Sequence, residues 1–236
     1  TKRGTNDFRS SLSLSSFNEE KITGKFGLQK DKLFFNGAFT SYYSPGFKLS
    51  SGFEEKENED GGLRENSEFE KNTFHLKGGF QWDNNSFLSF YYTSIRNMKS
   101  LPYSTEASKP SSHPFSMFWA PRYWTFPTWN QDIIGGEAEM YISDRFKMNF
   151  RINRLEIYNE LYMYRDEDKE QLGERDTFDD YVNNLSLSFE GYSFFKFSGG
   201  YTFEEKYHEK TEENLVFGET EVEDISSTFN DFFLII

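Results

Sequence analysis

The sequence predicts an all-β chain, an antiparallel up-and-down meander of about ten strands. Apolar residues recur at every second position for about nine residues at a time. Nowhere do they hold the i, i+3, i+4 spacing of an amphipathic helix over two turns. Short Asp/Asn/Gly/Ser-rich turns alternate with long connections, as in a chain that runs up and down a sheet. Of the 236 residues, 36% are hydrophobic and 19% aromatic, with 28 Phe against 16 Leu. That aromatic load excludes a disordered chain, and no apolar run reaches the length of a membrane helix. The absence of Cys removes disulfide frameworks, thiolate metal sites and cysteine nucleophiles. A net charge of −13 opposes a nucleic-acid partner, which needs a basic footprint.

The strands follow in order. Phe8, Leu12 and Leu14 alternate with Arg9, Ser11 and Ser13, and Ile22, Gly24, Phe26 and Leu28 alternate with Lys21, Thr23, Lys25 and Gly27. The same period gives Leu33/Phe35/Phe39, Phe74/Leu76/Phe80/Trp82 and Leu88/Phe90/Tyr92. It returns in Ile134/Ala138/Met140, Phe146/Met148/Phe150/Ile152, Leu185/Leu187/Phe189, Phe195/Phe197/Tyr201/Phe203 and Ile225/Phe229/Phe233. The closing run Phe232–Ile236 reads as a strand that continues past the window, so the chain is expected to be a piece of a longer one.

Tight turns are expected at Gln29–Lys32, Asp83–Asn85, Ser143–Arg145 and Glu190–Ser193, and long outer loops at 44–72, 97–130, 156–180 and 204–223. Only the first hairpin, turning near Ser16–Glu19, is short on the long-loop side. The four long segments hold 27 of the 39 acidic residues and 12 of the 26 basic ones. The strand charges Arg9, Lys21, Lys25, Lys77, Lys147, Arg151 and Lys196 all fall in the polar phase.

Short turns at one rim and long loops at the other suit part of a transmembrane β-barrel, whose lumen Lys21, Lys25, Lys77, Lys147, Arg151 and Lys196 would line. Alternation alone fits equally a soluble sandwich whose polar phase meets water. Two features favour the membrane. Aromatics collect at strand ends (Tyr42, Tyr43, Trp82, Tyr91, Tyr92, Trp124, Trp129, Tyr141, Tyr192), as in an interfacial girdle. Glycines in the apolar phase (Gly24, Gly37, Gly78, Gly136, Gly199) waste volume in a sandwich core and are harmless against lipid.

Three stretches carry a family resemblance. Thr1-Lys2-Arg3-Gly4-Thr5-Asn6 resembles the end of a plug domain handing over to a first barrel strand. The run from Asp60 to Asn72, Asp-Gly-Gly-Leu-Arg-Glu-Asn-Ser-Glu-Phe-Glu-Lys-Asn, is similar to a second outer loop, and Tyr123–Gln131 to the start of a sixth strand. The family is that of TonB-dependent outer-membrane receptors, importers of ferric siderophores, cobalamin and similar nutrients. The resemblance implies that residues 1–6 end the plug-to-barrel connection and 7–236 form part of the barrel. It further implies placement in a bacterial outer membrane, among lipid and lipopolysaccharide. The TonB complex and the chain's own plug would be its partners, a small-molecule nutrient its ligand. No enzymatic activity, cofactor or bound metal is implied. The departures are that family barrels have 22 strands around a plug, and that neither the TonB-coupling box nor the terminal aromatic strand is present here. The alternatives are a complete small outer-membrane barrel, either pore or rim hydrolase, and a soluble β-sandwich binding carbohydrate.

Segment 97–130 is the leading ligand candidate. It holds five of the six prolines and one acidic residue, and Phe115, Phe118, Trp119 and Arg122 offer aromatic faces and a guanidinium for stacking on a ligand. Packing among neighbouring loops explains the same residues without a ligand. The six strand cations would either attract an anionic cargo or pair with acidic groups of the plug. Asp166, Asp168 and Glu170 start with EF-hand spacing, but Gln171 and Thr177 stand where Gly and Glu are required. Of the histidines, His75 is expected on a strand, and His113 and His208 in loops; no nucleophile, metal pair or phosphate-loop motif accompanies them.

Overall fold

The computed structural model describes residues 6–14, 18–56, 59–82, 86–102, 123–192 and 196–235. Ten strands form: β1 (Asp7–Leu14), β2 (Glu20–Lys30), β3 (Leu33–Ser44), β4 (Phe69–Gln81), β5 (Phe87–Leu101), β6 (Tyr123–Ser143), β7 (Phe146–Tyr164), β8 (Leu172–Tyr192), β9 (Lys196–Asn214) and β10 (Glu219–Ile235). They make one antiparallel sheet whose spatial order is the chain order. No helix occurs among the described residues. Within them β1 pairs with β2 alone and β10 with β9 alone, so the sheet stays open and is not a ten-stranded ring. Nor, among the described residues, does a second sheet cover it.

Directly opposed residues of an antiparallel pair share a face, and the register can therefore be followed across the whole wall. One row runs Phe8, Phe26, Gly37, Leu76, Tyr92, Ile134. Further on, Phe150, Leu187 and Tyr201 align with Phe232. These rows build a continuous Phe-rich face. Nothing packs on it: Phe90 is 63% exposed and Ile134 62%, although both lie on interior strands. Among the described residues only Tyr123 and Leu161 are buried hydrophobics, so the sheet has no core of its own.

The strands lengthen along the chain, from 8 residues in β1 to 21 in β6 and β8. Two expectations are corrected by this. Segments 156–180 and 204–223 are strand over most of their length, with turns only near 165–171 and 215–218, and 97–130 is strand at both ends. Beyond the apolar band the Phe-rich face turns polar, as in the row Asp132–Glu156–Tyr181–Tyr207, while Ile133, Leu155, Ile157 and Val182 fall on the opposite face, so the ladder continues although the phase that marks the band is lost. Cross-strand rings take over part of the work: Arg154 lies 4.6 Å from the Tyr181 ring, and Tyr181 stacks on Tyr207 at 5.2 Å. His208 consequently sits on β9 and not in a loop.

β10 is one residue out of phase with the expectation. Phe229 and Phe233 stand opposite Glu204 and Gly200 on the polar face, whereas Phe232 and Leu234 join the Phe-rich face opposite Tyr201 and Gly199. A continuous apolar run carries no phase of its own, and pairing with β9 decides it. The aromatic girdle is likewise divided: Tyr43 and Tyr92 lie on the Phe-rich face, while Tyr42, Tyr91 and Trp129 register on the polar one.

The apolar-phase glycines do more than leave space. A Cβ on Gly37 would stand 2.3 Å from the Phe26 ring, and one on Gly199 2.7 Å from that of Phe189, so neighbouring rings lie across them. On the polar face the approach is to backbone: a Gly79 Cβ would fall 2.3 Å from the Leu88 carbonyl oxygen. Gly79→Ala should therefore destabilise the β4–β5 pairing by about 1–3 kcal/mol. Gly24→Ala, with nothing within 4 Å, should change stability by less than about 1 kcal/mol. Chemical unfolding of the two variants measures both.

Candidate functional site

The face opposite the phenylalanines carries the charge. Register places Lys21, Lys25, Lys77, Lys147, Arg151 and Lys196 together on it. Three of the six are paired within the wall. Lys77 donates to Glu137, which also accepts from Ser89 Oγ at 3.3 Å and lies 3.7 Å from the Arg151 guanidinium; Lys147 meets Glu139 at 2.9 Å. These contacts join β4, β5, β6 and β7 across the short-turn half of the sheet. Lys196 lies over the Tyr192 ring at 5.7 Å, and Lys21 and Lys25 form no ion pair among the described residues. The cations are not spread evenly. Along the polar face of β1–β5 stand Arg9, Lys21, Lys25, Lys71, Lys77 and Lys99 with Asp7 as the one strand carboxylate, whereas β6–β10 present most of the acids.

A second feature lies nearer the long-loop end. Pro127 has no N–H to give to a ladder, and β6 carries an extra residue there against both β5 and β7. The bulge brings Phe126 and Trp129, three residues apart, onto the same face. Lys99 lies between them, 3.4 Å from the Trp129 ring and 4.9 Å from that of Phe126. Beside Trp129 stand Asn97 and Asn159, whose Oδ1 atoms are buried without a partner among the described residues. Strand alternation does not reveal this grouping, because the bulge resets the phase; Pro127 between two aromatics was the available signal. Two further contacts on the polar face escape sequence reading because they depend on register. His208 Nδ1 meets Asp180 Oδ1 at 2.5 Å, and Lys210 meets Asp176 at 3.3 Å. His75 bonds Thr93 Oγ1 at 2.7 Å.

The loop that leads into β4 is held against this end of the sheet through Asn66 and Glu68. Asn66 Nδ2 donates to the carbonyls of Leu101 (2.6 Å) and Trp124 (3.0 Å), tying the loop to the ends of β5 and β6. Glu68 accepts from Ser100 Oγ at 2.5 Å and from Lys169 Nζ at 3.2 Å, which brings in the β7–β8 turn. The ligand candidates Phe115, Phe118, Trp119 and Arg122, and also His113, lie outside the described residues. Asp166 caps its own turn by accepting from the Gln171 N–H at 3.0 Å.

Two carboxyls in this region are perturbed in opposite directions. Burial pushes Glu68 up, but donation from Ser100, from its own backbone and from Lys169 outweighs it and holds the group below the ordinary Glu range. Glu65 is pushed up by burial and by the carboxylates of Asp60, Glu59, Glu167 and Glu68.

No protein-family model matches the chain, and no curated protein matches it in sequence. Among solved structures, the chain is similar to the ferric yersiniabactin uptake receptor FyuA of Yersinia pestis, with a TM-score of 0.54 and 12% identity. The match covers 97% of this chain and 37% of that one. At this identity the likeness is one of fold: ten consecutive antiparallel strands lie along part of a receptor.

A Lys77/Glu137 double-mutant cycle should give a coupling of about 1 kcal/mol. Lys25→Ala should shift stability by less than about 0.5 kcal/mol. Because the folded Glu68 value is depressed, its contribution is present above the ordinary Glu pKa of about 4.3 and is lost as pH falls through the folded value. A spin-label distance between Lys48 and Asp168 should therefore broaden on acidification below about pH 4, and Glu68→Gln should be broadened already at neutral pH.

Proposed function

We propose that this chain is part of the wall of a TonB-dependent outer-membrane receptor, residues 1–6 leading out of a plug domain and 7–236 supplying about ten strands of a larger barrel. The observation that supports it most is the bare Phe-rich face of a single amphipathic sheet. In water such a face is an aggregation surface; in a bilayer it is the lipid contact. Strands of 19–21 residues at about 3.3 Å each run roughly 65 Å. That is about twice the hydrocarbon thickness, leaving polar ribbons to stand above the membrane.

On this reading the opposite face borders the lumen. Lys21, Lys25, Lys77, Lys147, Arg151 and Lys196 line it, the paired ones bracing the wall and the basic panel of β1–β5 facing either acidic groups of the plug or an anionic cargo. The task is uptake of a scarce nutrient chelate such as a ferric siderophore, energised by the TonB complex acting on the plug. Phe115, Phe118, Trp119 and Arg122 would contact the ligand from the outer mouth. The wall itself performs no covalent chemistry. The fold likeness to a siderophore uptake receptor and the resembling stretches at Asp60–Asn72 and Tyr123–Gln131 point the same way.

The test is a pair of substitutions in the full-length protein. Phe90→Arg, at the middle of the Phe-rich face, should cost about 2–4 kcal/mol and deplete the assembled, heat-resistant form in outer-membrane fractions. Thr93→Arg, on the polar face, should be tolerated. Improved solubility of Phe90→Arg in the absence of detergent would contradict the membrane assignment.

A further inference from the structure

Three carboxylates of the loop between β3 and β4 stand close together, away from the strand cations. One carboxylate oxygen from each of Glu59, Asp60 and Glu65 lies within 4.8 Å of the other two. Glu59 is 2% exposed, the most buried charged residue described. Its Oε2 accepts from Arg64 and from the Glu65 N–H at 3.2 Å. Its Oε1 is buried with no hydrogen-bond partner among the described residues. An ionised carboxylate out of water with one oxygen unsatisfied is expensive unless a cation completes it. Arg64 is the cation bonded to Glu59. Gly61 and Gly62, at φ of 90° and 82°, curl the backbone tightly between Asp60 and Glu65.

We propose that Glu59, Asp60 and Glu65 form a Ca²⁺ site. Three oxygens mutually within 4.8 Å lie at most about 2.8 Å from a common centre, so a small inward movement brings all three to the Ca²⁺–O range of about 2.3–2.6 Å. All the donors are hard oxygens, and the irregular loop suits the loose coordination of Ca²⁺ better than the strict octahedron of Mg²⁺. The charge of Glu167, in the β7–β8 turn, adds to the rise in the Glu65 value. Ca²⁺ would relieve that repulsion and brace the loop against β5, β6 and the β7–β8 turn, where Asn66 and Glu68 already hold it.

The site is tested without cargo or transport, so its failure and that of the receptor reading are separate. The full-length protein, purified in detergent and stripped with a chelator, is titrated with CaCl₂ by calorimetry, and tryptic cleavage within residues 45–68 is followed in parallel. One added Ca²⁺ is expected, with Kd of about 10⁻⁴–10⁻³ M as for extracellular sites, together with protection of the loop. Glu59→Gln risks misfolding, so the diagnostic variant is Asp60→Asn with Glu65→Gln, which should weaken Ca²⁺ at least about tenfold. No binding up to roughly 10 mM Ca²⁺, wild-type affinity in the double variant, or equal protection by Mg²⁺ would overturn the assignment.

Discussion

Every property of this wall depends on the register of its hydrogen-bond ladder. Because side chains alternate with a period of two, a slip of one residue in any strand would exchange its two faces. Held in register through nine successive strand pairs, the ladder sorts a sequence of modest apolar content into one face of rings and one of charges. The two faces then meet different requirements. Rings on the Phe-rich face lie over opposing glycines, as Phe26 does on Gly37. On the reverse, Lys77, Arg151 and Ser89 converge on Glu137 and join four strands that have no core beneath them.

The charge pattern changes along the strands as well as across them. In the short-turn half of β4–β7, Lys77, Arg151 and Lys147 are paired with Glu137 and Glu139 on the polar face. In the long-loop half of β6–β10 acids stand on both faces, as Asp132 and Glu156 do on one and Asp176 and Asp180 on the other, and stacks such as Arg154–Tyr181–Tyr207 take the place of the phenylalanines. The same end carries the bulge at Pro127, the Lys99 grouping and the loop that leads into β4. On the reading proposed, this is the end that faces the outside, and its acid excess invites divalent cations.

Sequence reading succeeded where one face was apolar and the other polar. The phases of β1 to β9 follow directly from their alternating Phe, Leu and Ile residues, because there a single physical demand selects every second side chain. It failed where that demand is absent. The ribbons at 172–180 and 204–214 are largely polar on both faces and looked like loops; 156–164 moves its apolar residues Ile157, Leu161 and Met163 to the face opposite that of Phe150 and Ile152; and Phe232–Ile236 is apolar on both and had no readable phase. Phe126 joins Lys99 and Trp129 on one face only because of the Pro127 bulge, and Glu59 is buried by a loop fold that no period announces. Nor does the sequence reveal the convergence of Glu59, Asp60 and Glu65.

The central claim is that the Phe-rich face meets hydrocarbon while its reverse is hydrated. Single cysteines placed at 73–80 of β4 in the intact protein, on a background without other cysteines, and spin-labelled in bilayers, report one position each. The account predicts collision with dissolved oxygen peaking at 74, 76, 78 and 80, and collision with a water-soluble nickel chelate peaking at the positions between. Labels at 74, 76 and 80 that are shielded from both reagents, as inside a dry protein core, would contradict it.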